Sequence, residues 1–92
     1  MRHCQIYVKG KVQGVFFRRK TKETADLLGV KGWVKNLPDG SSVLIEAQGT
    51  NESVSKLIEW CRIGPENAVV ERVEVKELLD ESSLFSSFEI VY

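Results

Sequence analysis

Along the first strand-length of the chain, apolar and polar side chains alternate. Cys4, Ile6 and Val8 fall on one side, and Gln5, Tyr7 and Lys9 on the other. A period of two marks a half-buried strand. Gly10 to Gly14 interrupt it, and from about Arg18 to Leu28 the period lengthens. Thr21, Ala25 and Leu28 there recur at helical spacing, with Gly29 placed for a left-handed C-terminal cap. Val30 to Asn36 and Val43 to Gln48 read as strands around LPDGSS, whose Pro, Asp and Gly supply turn chemistry, so an antiparallel hairpin is expected. Val43, Ile45 and Ala47 would line its inner face. TNES offers side-chain oxygens to cap a second helix, in which Val54, Leu57, Ile58 and Cys61 stand at i, i+3, i+4 and i+7 before Gly64 and Pro65 close it. Val69 to Leu78 reads as a fourth strand. Past LDESS, Leu84, Phe88, Ile90 and Tyr92 suggest a last extended segment.

The order strand, helix, strand, strand, helix, strand predicts an α+β fold of the ferredoxin-like βαββαβ type. Its antiparallel sheet would carry both helices on one face, with room for a fifth strand at the end. No repeat or linker divides the chain, so one domain over residues 1–92 is expected. Hydrophobic content of 42% and charged content of 28% are those of an ordinary globular domain. The N-terminal stretch lacks the apolar core of a signal peptide, and nothing approaches the roughly 18 apolar residues of a membrane span. A cytoplasmic protein without membrane association is the expectation. Cys4 and Cys61 are too few for a disulfide framework and too far apart for a CxxC motif, so reduced core thiols are expected. His3 is the single histidine and stands near a terminus, which supports no metal centre. Ser41, Ser42, Ser82 and Ser83 lie in turns without a histidine to activate them. Trp33 and Trp60 read as core or sheet-face packing.

Charge changes the picture. Residues 1–36 hold nine basic and two acidic side chains, a sum of +7, and residues 37–92 hold four basic and eleven acidic, a sum of −7. Arg18, Arg19, Lys20 and Lys22 crowd the start of the first helix, where the positive end of the helix dipole disfavours them by about 0.3 to 1 kcal/mol each. A bound anion would account for them, and so would a solvated surface with complementary faces. Gly10 and Gly14 allow the backbone to bend and approach a ligand, after which amides at the helix N-terminus can surround a phosphate oxygen. Arg18 can complete such a cradle with its planar fork. A glycine pair before a helix also serves a simple tight turn.

The segment GKVQGVFFR, from Gly10 to Arg18, followed by GWVKN, from Gly32 to Asn36, resembles the acylphosphatase family. The first matches the family's signature of glycine, x, Val-Gln-Gly-Val, x, Phe or Met, Arg at every fixed position. The second matches glycine, aromatic, small apolar, basic, Asn. Length, element order and LIEWCRIGP are also similar, so the resemblance covers nearly the whole chain. It implies a monomeric, cofactor-free and metal-free enzyme that hydrolyses the carboxyl-phosphate bond of small acyl phosphates. Inorganic phosphate or sulfate would be a product-like ligand. By the same resemblance, Arg18 and the backbone of Gly14, Val15, Phe16, Phe17 and Arg18 hold the phosphate, and Asn36 orients the attacking water. One departure stands out: the family has one residue between the hairpin glycine and the next valine, whereas Ser41 and Ser42 separate Gly40 from Val43.

These residue types suit the chemistry. An acyl phosphate has a good carboxylate leaving group, so phosphoryl transfer to water asks for positioning and charge stabilisation more than for strong acid-base help. The alternative is a non-catalytic phosphate-binding regulatory module, which would need the cradle but not Asn36. RNA-recognition modules share the element order, and IYVKG superficially resembles their aromatic strand motif. Their third strand stacks bases on aromatics, however, and here it reads VLIEAQG, so no nucleic-acid partner is expected.

Overall fold

The alternation of Cys4, Ile6 and Val8 becomes strand β1 (Arg2–Lys11), with all three side chains buried. The computed structural model describes residues 1–79 and 85–92. After β1 come helix α1 (Phe17–Leu28), strands β2 (Lys31–Asn36) and β3 (Ser42–Gly49), helix α2 (Asn51–Ile63), and strands β4 (Val69–Glu77) and β5 (Phe88–Val91). Leu84, Ser82 and Ser83 lie outside the described residues.

The five strands form one sheet in the order β4-β1-β3-β2-β5. The first four pair antiparallel, as their alternation and the hairpin predict. β5 departs from the expected antiparallel sheet: it runs parallel to β2, with Phe88 opposite Gly32. Register explains why. Glu77, closing β4, pairs with Cys4 near the start of β1, and Gln48 of β3 pairs with both His3 and Lys31 at that same end. β5 therefore starts at the end of the sheet where β4 stops, and from there it can only run alongside β2 in the same direction. Lys22 Nζ donates to the Phe88 carbonyl at 2.7 Å, which ties the added strand to α1.

Both helices lie over the face that carries Ile6, Val8, Val34, Val43 and Ile45. α2 buries Val54, Leu57, Ile58 and Cys61, the four positions of its predicted stripe, and Thr50 caps it by accepting from the Ser53 amide at 3.1 Å. The stripe of α1 is narrower: Phe17, Thr21 and Ala25. Phe17 is its one large buried side chain, with its ring 5.4 Å from that of Trp60, so it fixes where the helix begins. Trp33 lies on the other face of the sheet, with Lys35 Nζ 5.3 Å from its ring centre. Cys4 and Cys61 are free thiols in the core.

Gly10 does not belong to the loop. It sits inside β1 at an irregularity opposite β4, with φ 142°, and a Cβ there would stand 2.1 Å from the Val69 carbonyl oxygen. The close approach that requires glycine is to a neighbouring strand, not to a ligand. The extra hairpin residue is also accommodated locally. Asp39 accepts from the Ser41 amide at 2.9 Å and from the Ser42 hydroxyl at 2.6 Å, and Tyr7 lies 2.8 Å from that hydroxyl. These bonds, the Ser42 hydroxyl first among them, hold the Asp39 carboxyl below its ordinary pKa.

Candidate active site

Between β1 and α1 the chain turns on two left-handed residues, Gly14 (φ 74°) and Phe16 (φ 62°). Glycine adopts this conformation freely, whereas a bulky side chain does so at a cost of order 1 to 3 kcal/mol. Phe16 is the residue preceding the first turn of α1, which has neither a side-chain cap nor an acidic residue. The first helical hydrogen bond runs from the Lys20 amide to the Phe16 carbonyl at 3.0 Å. Among the described residues, none accepts a hydrogen bond from the amides of residues 14–19. A run of donors at the positive end of a helix, with no internal acceptor, is a place where an anion is stabilised.

The basic residues that crowd this turn separate into two pairs. Lys20 lies 3.5 Å from Glu23, and Lys22 lies 3.2 Å from Asp26 while also reaching Phe88, so both serve the fold. Arg18 and Arg19 have no carboxylate partner among the described residues. The Arg18 guanidinium carbon lies over the Tyr92 ring, 4.7 Å from its centre, within cation–π range.

Asn36 ends β2 on the helix-bearing side, two residues after the buried Val34. Its Oδ1 is buried and without a hydrogen-bond partner among the described residues. An unpaired buried carbonyl costs about 1 to 3 kcal/mol, and a bound water or ligand would remove that cost. One cavity of about 350 Å³ gathers Gly14, Phe16, Phe17, Arg18 and Asn36, with Val12, Arg19, Ile90 and Tyr92 completing its wall. Of the expected loop residues, Val15 alone is absent from the wall, because its side chain is in the core. His3 is at the far end of β1, 2.8 Å from Glu46.

Sequence reasoning missed Gln13 and Tyr92. The Gln13 side-chain amide donates to the carbonyls of Leu37 and Ser42, both at 2.8 Å, and so ties the loop to the hairpin that carries Asn36. Its fixed place in the first signature was the available signal. Tyr92 gave none beyond being aromatic, since its contact with Arg18 depends on the parallel placement of β5.

The acylphosphatase family model matches residues 4–90. An acylphosphatase of Pyrobaculum islandicum is 53% identical over 72 residues, which are 78% of this chain and 76% of that one. One from Syntrophus aciditrophicus is 46% identical over 94 residues, covering all of this chain and 94% of its own. The crystal structure of acylphosphatase from Bacillus subtilis superposes with a TM-score of 0.93 at 35% identity and full coverage of both chains. By its two signatures, its fold and these matches, the chain belongs to the acylphosphatase family.

Proposed function

We propose that this chain hydrolyses the carboxyl-phosphate bond of acyl phosphates with Arg18 and the amides of residues 14–18 on the phosphoryl group and Asn36 on the attacking water. The reading rests on one observation: Gly14, Phe16, Phe17 and Arg18, whose amides have no acceptor among the described residues, line one cavity together with Asn36, whose Oδ1 has no partner among them. Charge on the transferring phosphoryl oxygens is met by donors already in position, which need no reorganisation during reaction. The Asn36 carbonyl accepts a hydrogen from the water and aims its lone pair at phosphorus. As the new bond forms, the bond from phosphorus to the acyl oxygen breaks, and its electron pair leaves with the carboxylate. The water's proton passes to a phosphoryl oxygen, so no side chain of the protein has to act as a base.

The same reading makes the molecule a single domain over residues 1–92, a monomer, and a cytoplasmic enzyme in which Cys4 and Cys61 stay reduced. Release of phosphate from acetyl phosphate with a chelator present, beside an Asn36→Ala control, tests the activity and the water site together. Turnover in the wild type that is lost in the control is the expected result. Absence of turnover with retained phosphate binding would instead identify a phosphate-binding regulatory module.

A further inference from the structure

The turn that follows Asn36 is bonded to its surroundings through both polar groups of Ser42. The Ser42 carbonyl accepts from the Leu37 amide at 2.9 Å and from the Gln13 side-chain amide at 2.8 Å. Its hydroxyl donates to Asp39 Oδ2 at 2.6 Å, which leaves Ser42 Oγ to accept from the Tyr7 hydroxyl at 2.8 Å. Ser42 is fully buried, so a hydroxyl stripped of these partners would be costly. Asp39 also accepts from the Ser41 amide at 2.9 Å. Ser41 in turn reaches β1 twice, its carbonyl accepting from the Gly10 amide at 2.9 Å and its hydroxyl from Lys9 Nζ at 3.0 Å. Asp39 itself stands outside the cavity that gathers Arg18 and Asn36. The Ser42 hydroxyl first, and the Ser41 amide next, hold its carboxyl below the ordinary pKa, so it is an anion throughout the neutral range.

We propose that Asp39 is a positioning residue for the hydrolysis: through the Ser42 hydroxyl, its carboxylate fixes the peptide that sets Asn36 against the β1–α1 loop. This rests on the proposed function, because that reading gives Asn36 a water to aim. Asn36 ends β2 opposite Val43, and the bonded residues Leu37 and Ser42 stand immediately beside that pair. Rotation of the Ser42 peptide would therefore shift the acceptor shared by Gln13 and Leu37, and with it the placement of Asn36 relative to residues 14–18. A charged acceptor at 2.6 Å resists that rotation more strongly than a neutral one. Closing the turn does not require it. Hairpin turns close through backbone bonds, and here Leu37 donates to Ser42 and accepts from Gly40.

The test measures kcat and KM for acetyl phosphate, inhibition by inorganic phosphate, and the urea midpoint. The proteins are the wild type, Asp39→Asn and Ser42→Ala, with each substitution made again in Asn36→Ala. Asp39→Asn keeps the size of the side chain and its suitability for a turn but removes the charge and one acceptor oxygen. It should lower kcat by about tenfold, part of the 10²-fold that a displacement of about 1 Å can cost, and leave KM and phosphate inhibition within about twofold. Ser42→Ala breaks the same link from its other end and should lower kcat by a similar factor. In Asn36→Ala no carbonyl remains to be placed, so either substitution should change kcat by less than about twofold. A brace for the turn alone would lower the urea midpoint in both backgrounds and leave kcat unchanged, which overturns the proposal and leaves the hydrolase reading standing. An equal loss of kcat with and without Asn36 overturns it as well. If Asp39→Asn does not fold, Ser42→Ala in the two backgrounds decides by the same criteria. A wild type without turnover overturns both the hydrolase reading and the positioning role.

Discussion

The side-chain amide of Gln13 and the backbone carbonyl of Ser42 are joined by a hydrogen bond of 2.8 Å, and the same nitrogen donates to Leu37 at an equal distance. Ser42 and Leu37 also bond to each other through their backbones, immediately beyond Asn36. One nitrogen thus holds the β1–α1 loop against the end of the strand that carries Asn36, the proposed water site. Gln13→Glu replaces the donor by a carboxylate facing two carbonyl oxygens. It should lower kcat by about tenfold or more, since a displacement of about 1 Å can cost 10²-fold, and should cost roughly 1 to 3 kcal/mol of stability. Steady-state kinetics and urea unfolding read the two effects separately. Unchanged kcat beside reduced stability would confine Gln13 to a structural role.

In the proposed mechanism Arg18 contributes shape as well as charge. Arg18→Lys keeps the positive charge but loses the planar fork that lies over the Tyr92 ring. Competitive inhibition by inorganic phosphate should weaken by about tenfold, with turnover falling alongside it. Equal inhibition constants for the two proteins would show that any cation suffices.

Asn36 carries a signature that separates a functional residue from a structural one. Its Oδ1 has no partner among the described residues, so removing it takes away a buried unsatisfied group. Asn36→Ala should lower kcat by roughly 10²-fold, leave phosphate inhibition near its wild-type value, and leave thermal stability unchanged or raised. A loss of stability of about 2 kcal/mol would mean that the side chain supports the hairpin instead.

Most of the fold was legible because its elements are strongly periodic. The stripe from Val54 to Cys61 and the alternation from Cys4 to Val8 each had one reading, and both are buried as that reading requires. The direction of β5 was not legible, because four residues with alternating exposure look alike whether their neighbour runs parallel or antiparallel. What decides it is where β4 ends, a fact of three dimensions. The site divides in the same way. Arg18 and Asn36 were expected at the site from their signatures, and both line the same cavity, but the splitting of the basic cluster depends on which carboxylates α1 and its neighbours bring within reach. Gly10 was misassigned for a related reason: sequence shows that a Cβ is missing, and only the fold shows that it is the Val69 carbonyl that needs the space.

That distinction predicts different outcomes at the two signature glycines. Gly10→Ala forces the backbone of β4 to move, because the new Cβ would lie 2.1 Å from a carbonyl oxygen, and Gly14→Ala meets nothing within 4 Å. Gly14 pays only for its left-handed backbone, roughly 1 kcal/mol, whereas Gly10→Ala should cost about 3 kcal/mol or fail to fold. Urea denaturation gives the order, and comparable losses at the two positions would contradict it.

Burial of the two thiols sets the last expectation. It pushes Cys4 up to about 11 and Cys61 higher still. Thiols of an unfolded chain ionise at about 8.5, so above that pH the unfolded state releases protons that the folded state retains. Stability is therefore unaffected below about 8.5 and declines as pH rises toward 11. A thiol-specific reagent at about pH 8 should leave the native protein unlabelled over minutes and label both cysteines once urea unfolds it. The urea midpoint should fall between about pH 8 and pH 10.5, and less so in Cys4→Ala. Rapid labelling of the native protein would place at least one thiol within reach of solvent and remove the basis for the alkaline decline.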